Sequence, residues 1–128
     1  MPPSIDKLHP DLKASVDKVL KAMDALGFPM KIVQGVRTEG EQQALYAQGR
    51  TKPGKIVTNH DGVTKKSNHQ LKVDGYGWAV DCAFSGPDPF GEKKPWSTYG
   101  SCAKAVGLVW GGDWVSIVDR PHVELKKV

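Results

Sequence analysis

Three residues of this chain, and a few neighbours, could do hydrolytic chemistry together. His69 and Asp81 lie on either side of a glycine-bearing turn, and His122 follows much later within Asp119-Arg120-Pro121-His122-Val123-Glu124. Two imidazoles and one carboxylate form the donor set of a catalytic zinc site, in which three protein ligands leave one position open for water. Such a water ionises near pH ~7, and a nearby carboxylate must take its proton and pass it to the leaving amine. Asp119, three residues before His122, and Glu124, two after it on the same side of an extended strand, are both candidates for that base. Glu124 is equally placed to orient the His122 imidazole as a hydrogen-bond partner. Arg37 could supply the positive neighbour that a developing oxyanion needs. Spacing alone also permits a plainer reading, because any domain of this size contains such residues.

The elements that must position these groups can be read from periodicity. Gly77 to Phe84 is an expected strand, with Trp78, Val80 and Cys82 on one face and Ala79, Asp81 and Ala83 on the other. A carboxylate within so apolar a strand is costly unless paired or metal-bound, which singles out Asp81. Leu108 to Trp110 and His122 to Leu125 are short strands joined by a hairpin-like excursion from Gly111 to Pro121. Met30 to Val36 alternates and is rich in branched residues, so it forms a strand that delivers Arg37 to its end; a surface salt bridge is the plainer role for that arginine. Thr38 and Glu41 fit a capping box that opens a helix running to about Gln48, with Ala44, Leu45 and Ala47 inward and Gly49 as its stop.

Pro10 to Leu26 predicts an amphipathic helix whose inward stripe is Leu12, Val16, Val19, Leu20, Met23 and Leu26, closed by Gly27. Ser97 is expected to cap a short helix to about Val106, stopped by Gly107. Arg50 to Lys66 shows no periodicity and reads as a long loop, with His60 an exposed loop histidine. The sum is an α+β domain with a small, mostly antiparallel sheet and two or three helices, one unit over residues 1–128.

Composition narrows the classes. With 39% apolar and 25% charged residues the 128-residue chain has the balance of a globular protein, not of a disordered or fibrous one. Lys and Arg outnumber Asp and Glu by 18 to 14, a mild bias that would favour encounter with an anionic polymer. The basic residues are scattered and not interleaved with aromatics, so no nucleic-acid partner is expected. The opening segment lacks the apolar run of a signal peptide, and no stretch approaches a membrane span; synthesis in the cytoplasm, without membrane insertion, is the expectation. Cys82 and Cys102 form no C-x-x-C pair and are expected to be free thiols.

The ordered motifs Ser67-x-His69, Gly77-x-Ala79-x-Asp81, Trp110-Gly-Gly-Asp-Trp114 and Asp119-x-x-His122-x-Glu124 together resemble the zinc peptidases of the hedgehog/DD-peptidase fold. That group includes D-alanyl-D-alanine carboxypeptidases and the L-alanyl-D-glutamate endopeptidases of phage lysins. The resemblance runs from about Val33 to Leu125; Gln34-Gly-Val-Arg37 and the segment from Gln42 to Arg50 are similar to the endopeptidase branch. It implies His69, Asp81 and His122 as ligands of Zn2+, Asp119 as general base and acid, and Arg37 as the positive group near the scissile carbonyl or a substrate carboxylate. It further implies a local hydrogen-bonding role for Ser67, with Trp114 framing the cleft and Trp110 packing in the core. One departure stands out: eleven residues separate His69 from Asp81, where the family usually has six, as if Leu71 to Gly75 had been inserted. Asp74 thereby becomes a competing carboxylate, and Asp81 is preferred because a strand holds it.

The implied activity is that of a zinc-dependent peptidoglycan peptidase, an L-alanyl-D-glutamate endopeptidase acting as a phage or prophage endolysin on the stem peptide. It would be a monomer made in the cytoplasm that reaches the wall by a separate, holin-type route. The alternatives are a D-alanyl-D-alanine carboxypeptidase and a non-catalytic wall-binding module.

Overall fold

The computed structural model describes residues 3–126. Its architecture is a four-stranded antiparallel sheet with three helices. In chain order the elements are α1 (Pro10–Ala25), β1 (Met30–Gln34), α2 (Glu39–Ala47), β2 (Ala79–Phe84), α3 (Trp96–Ala105), β3 (Leu108–Trp110) and β4 (His122–Leu125). A 3-10 turn over Gly111–Asp113 follows β3. The sheet order is β1-β2-β4-β3, so the two site-bearing strands, β2 and β4, lie side by side in its middle.

The core forms between the sheet and helices α1 and α3. Leu12, Val16, Val19 and Met23 recur at helical spacing and are buried, as their periodicity predicts. Leu26 departs from that stripe: it sits beyond the last turn, 56% exposed, because the chain turns away at Gly27 with φ +89°. Val80, Cys82, Phe84 and Val123 supply the sheet side, and Trp96, Tyr99 and Ala103 the α3 side. Cys82 and Cys102 are free thiols, as expected, and Cys82 is buried.

Three details differ from the expectations. Strand β1 ends at Gln34, where the register shifts between Ile32 and Gln34, so Gly35 and Val36 leave the ladder early. Helix α3 starts at Trp96 after Pro95, with no side-chain cap, so Ser97 does not cap it. Helix α2 does open with the Thr38–Glu41 capping box, but Ala44 is exposed and the residue it buries is Gln42. A polar buried face arises there because α2 packs over the arginine end of β1 and not over the apolar core.

An N-terminal strap completes the frame. The Ser4 carbonyl accepts from the Val36 amide at 2.8 Å, and Leu8 bridges Gly77. A Cβ on Gly35 would lie 2.1 Å from the Ser4 carbonyl oxygen, so this crossing requires glycine. No helix among the described residues is long and apolar enough to cross a membrane.

Candidate metal centre

Asp81 and His122 face each other across the central ladder, paired in the β2–β4 register. His69 comes from the loop before β2 and is fixed by its own backbone. Its amide donates to Ser67 Oγ at 3.1 Å, and its carbonyl accepts from the Arg37 amide at 2.8 Å. Ser67 thus makes a local hydrogen bond to the residue expected as the first ligand.

The tautomers follow from the partners. His69 Nδ1 lies 2.9 Å from the Gly35 carbonyl, which can only accept, so Nδ1 carries the hydrogen and Nε2 presents a lone pair. His122 Nε2 lies 2.6 Å from Glu124 Oε1, which leaves His122 Nδ1 facing the site. Those two ring nitrogens are 3.1 Å apart, and Asp81 Oδ1 is 3.2 Å from the first and 3.4 Å from the second. Asp81 Oδ1 is buried without a hydrogen-bond partner. Once His122 gives up its proton, three electron-pair donors converge, one of them a buried carboxylate oxygen without a hydrogen-bond partner, and a divalent cation would satisfy them together. The donor set fits a metal ion.

Electrostatics around the group are uneven. Burial alone would raise the Asp81 carboxyl, but the two imidazoles outweigh it and hold Asp81 below the ordinary carboxylate range. For His122 burial works downward, and the carboxylates of Asp81 and Glu124 reverse it, raising the ring to about 9 in the metal-free protein. Burial, reinforced by the neighbouring Asp81 charge, raises Asp119 above its usual range. Asp119 Oδ2 stands 3.8 Å from His122 Nδ1, near the donors without joining them.

The turn that carries Asp119 is tightly held. Its amide donates to the Gly111 carbonyl at 3.0 Å, and a Cβ on Gly111 would lie 2.3 Å from the Asp119 carbonyl oxygen. Trp110 packs against Gly100 and Gly112 and donates from its indole to the Arg120 carbonyl at 2.8 Å. Tyr99 donates its hydroxyl to the Pro121 carbonyl at 2.8 Å. Trp114 borders the cleft, its ring 4.8 Å from that of His122.

Arg37 reaches the site already engaged. Nη2 donates to Gln34 Oε1 at 2.8 Å and approaches Asp81 Oδ2 at 3.4 Å, while Nη1 donates to Gln42 Oε1 at 3.0 Å. Burial lowers its pKa, with Asp81 opposing. The structure thus brings His69, Asp81, His122, Asp119, Glu124, Arg37, Ser67 and Trp114 to one cleft. Asp74 is elsewhere: it accepts from the Trp78 indole at 2.9 Å within an exposed turn, so the extra residues before Gly77 loop outward and leave Asp81 in place.

Several participants were not foreseen. Gln42 is fully buried and, besides holding Arg37, donates to the His60 carbonyl at 2.9 Å. Asn68 donates to Glu124 Oε2 at 2.6 Å. Lys55 and His60 line the cleft, so His60 is an exposed residue but not a remote one. Burial, then the nearby Lys65 charge, hold His60 below the ordinary histidine range. Nothing in local sequence marks these residues except the adjacency of Asn68 to His69.

Comparison with known proteins places the chain among relatives of one family and fold. A sequence profile described as D-alanyl-D-alanine carboxypeptidase matches residues 61–125. The peptidoglycan L-alanyl-D-glutamate endopeptidase CwlK of Bacillus subtilis (strain 168) is 35% identical over 126 residues, covering 92% of this chain and 73% of its own. The L-alanyl-D-glutamate peptidase of Listeria phage A118 is 27% identical, across 94% of this chain but only 39% of the phage protein. Among solved structures, the vancomycin-resistance D,D-pentapeptidase VanY in complex with Zn(II) superposes with a TM-score of 0.66 at 18% identity, covering 98% of this chain and 76% of that one.

Proposed function

This chain belongs to the D-alanyl-D-alanine carboxypeptidase family and is a metallopeptidase, and from that premise we propose that it is a zinc-dependent endopeptidase of the peptidoglycan stem peptide, cleaving the L-alanyl-D-glutamate bond. The bond is inferred from the two relatives that carry that activity in their names. The phage relative suggests the setting: an endolysin, one domain working as a monomer, that reaches the wall after release by a separate route. The observation that carries the reading is the convergence of His69 Nε2, His122 Nδ1 and the orphaned Asp81 Oδ1, with Asp119 beside them.

His69, Asp81 and His122 would hold the ion. Bound zinc supplies Lewis-acid polarisation of a carbonyl and lowers the pKa of a coordinated water toward ~7. The chain's own groups do the rest. Asp119 takes the proton from the attacking water and delivers it to the D-glutamyl nitrogen as the carbon–nitrogen bond breaks; its raised pKa suits both halves of that transfer. Glu124 holds the His122 ring in the tautomer that presents Nδ1. Arg37 pairs with Asp81 Oδ2 and lends positive potential to the developing oxyanion. Trp114 shields one side of the cleft from water.

Mass spectrometry of purified peptidoglycan after incubation, with and without chelator and zinc re-addition, tests the reading. New L-alanine carboxyl and D-glutamate amino termini that vanish with chelator are expected. Release of terminal D-alanine alone would make the protein a carboxypeptidase, and binding without cleavage would make it a wall-binding module.

A further inference from the structure

A D-glutamyl residue whose amine lies in the scissile bond still has two carboxyl groups, and only one continues the peptide. The other enters the cleft either as a free carboxylate or as an amide. A free carboxylate must find a partner in a cleft whose metal end already carries Asp81, Asp119 and Glu124. Besides histidines, the cationic side chains lining that cleft are Arg37 and Lys55.

Arg37 is the wrong partner. Both of its terminal nitrogens are committed to Gln34, Gln42 and Asp81, and the one donor left without a partner, Nε, is buried out of reach of the cleft's solvent. Lys55 is different: its ammonium has no hydrogen bond or ion pair among the described residues, and its backbone is anchored where Gln48 Nε2 donates to its carbonyl at 2.9 Å. His60 is anchored in the same way. Its carbonyl accepts from the buried Gln42 at 2.9 Å and its amide donates to Thr58 Oγ1 at 3.1 Å, yet its ring has no hydrogen-bond partner among the described residues. Each backbone is anchored and each side chain is uncommitted, so a carboxylate entering the cleft would meet them without displacing an existing partner. His60 lines the same cleft as His69, Asp81 and His122.

We infer that Lys55 and His60 recognise the free carboxylate of the D-glutamyl residue, making the enzyme selective for acidic over amidated stem peptides. Lys55 supplies the charge and His60 a neutral ring hydrogen bond. The inference rests on the cleavage proposed above, and it takes from Arg37 the substrate-carboxylate role that resemblance suggested.

The test uses two synthetic L-alanyl-D-glutamyl peptides, identical except for a free carboxylate or a carboxamide on the glutamyl residue, with the zinc-loaded protein. A charge-assisted contact predicts a preference of about tenfold in kcat/KM for the acid. In Lys55→Met that ratio should fall toward one, chiefly through a raised KM for the acid, and His60→Ala should reduce it partway. Zinc content and circular dichroism confirm that each variant is folded and loaded. Equal cleavage of both peptides by the unaltered protein, or full retention of the preference in Lys55→Met, would overturn the recognition but leave the cleavage intact. Cleavage of neither peptide by the loaded protein would sink the proposed function, and this inference with it.

Discussion

At the level of single residues, Asp119 and Glu124 stand on either side of His122 and their surroundings separate them. Glu124 spends both oxygens, one on His122 and one on Asn68, each at 2.6 Å. Asp119 stays 3.8 Å away from His122 and keeps a raised pKa. Asp119→Ala should therefore retain metal and lose turnover by roughly 10²–10⁴-fold, whereas His69→Ala should lose both. An active Asp119→Ala protein would refute the assignment. Glu124→Gln should instead weaken metal binding by about 10–100-fold in a competitive chelator titration, which Asp119→Asn should not do. Strand alternation along His122-Val123-Glu124 made the Glu124 contact legible in the sequence. Its second partner, Asn68, was not legible, because that contact joins a loop to a strand fifty-six positions away.

At the level of elements, backbone preference was read well and burial less well. The α1 stripe, the Thr38–Glu41 capping box and the bounds of β3 and β4 follow from local rules, and the structure has them. Which face of α2 turns inward could not follow from such rules. Its neighbour is the Arg37 guanidinium, so a glutamine is buried where apolar residues were expected. Gln42→Leu would strand Arg37 Nη1 and the His60 carbonyl together and should cost about 1–3 kcal/mol in denaturant unfolding. The Asp119 turn offers a second check. Gly111→Ala sets a Cβ against the Asp119 carbonyl, so it should displace that residue and reduce turnover while the three donors, anchored on β2, β4 and the His69 loop, still take up metal.

At the level of the whole molecule, the site links stability to metal and to pH. In the metal-free protein His122 titrates at about 9, above its ordinary value of 6.5. A raised imidazole stabilises the fold fully below that ordinary value, and the contribution fades as pH climbs through about 9. The metal-free protein should therefore unfold at progressively lower denaturant concentration across that window. Metal needs the deprotonated ring, so its apparent affinity should rise over the same window, and metal at a hundredfold excess over Kd should add about 2.7 kcal/mol. Chelation that left thermal unfolding unchanged at neutral pH would contradict the link.

The strap from Ser4 to Leu8 contributes no side chain to the cleft, yet it holds Gly77 and also Val36, which sits between the Gly35 carbonyl and the Arg37 amide that anchor His69. Anyone shortening the gene for expression would naturally begin at Pro10, where the first helix starts. Such a product would keep every residue named in the chemistry and lose the clasp on Gly35, whose carbonyl selects the His69 tautomer. The innocuous-looking tail is thus a boundary that cloning should respect.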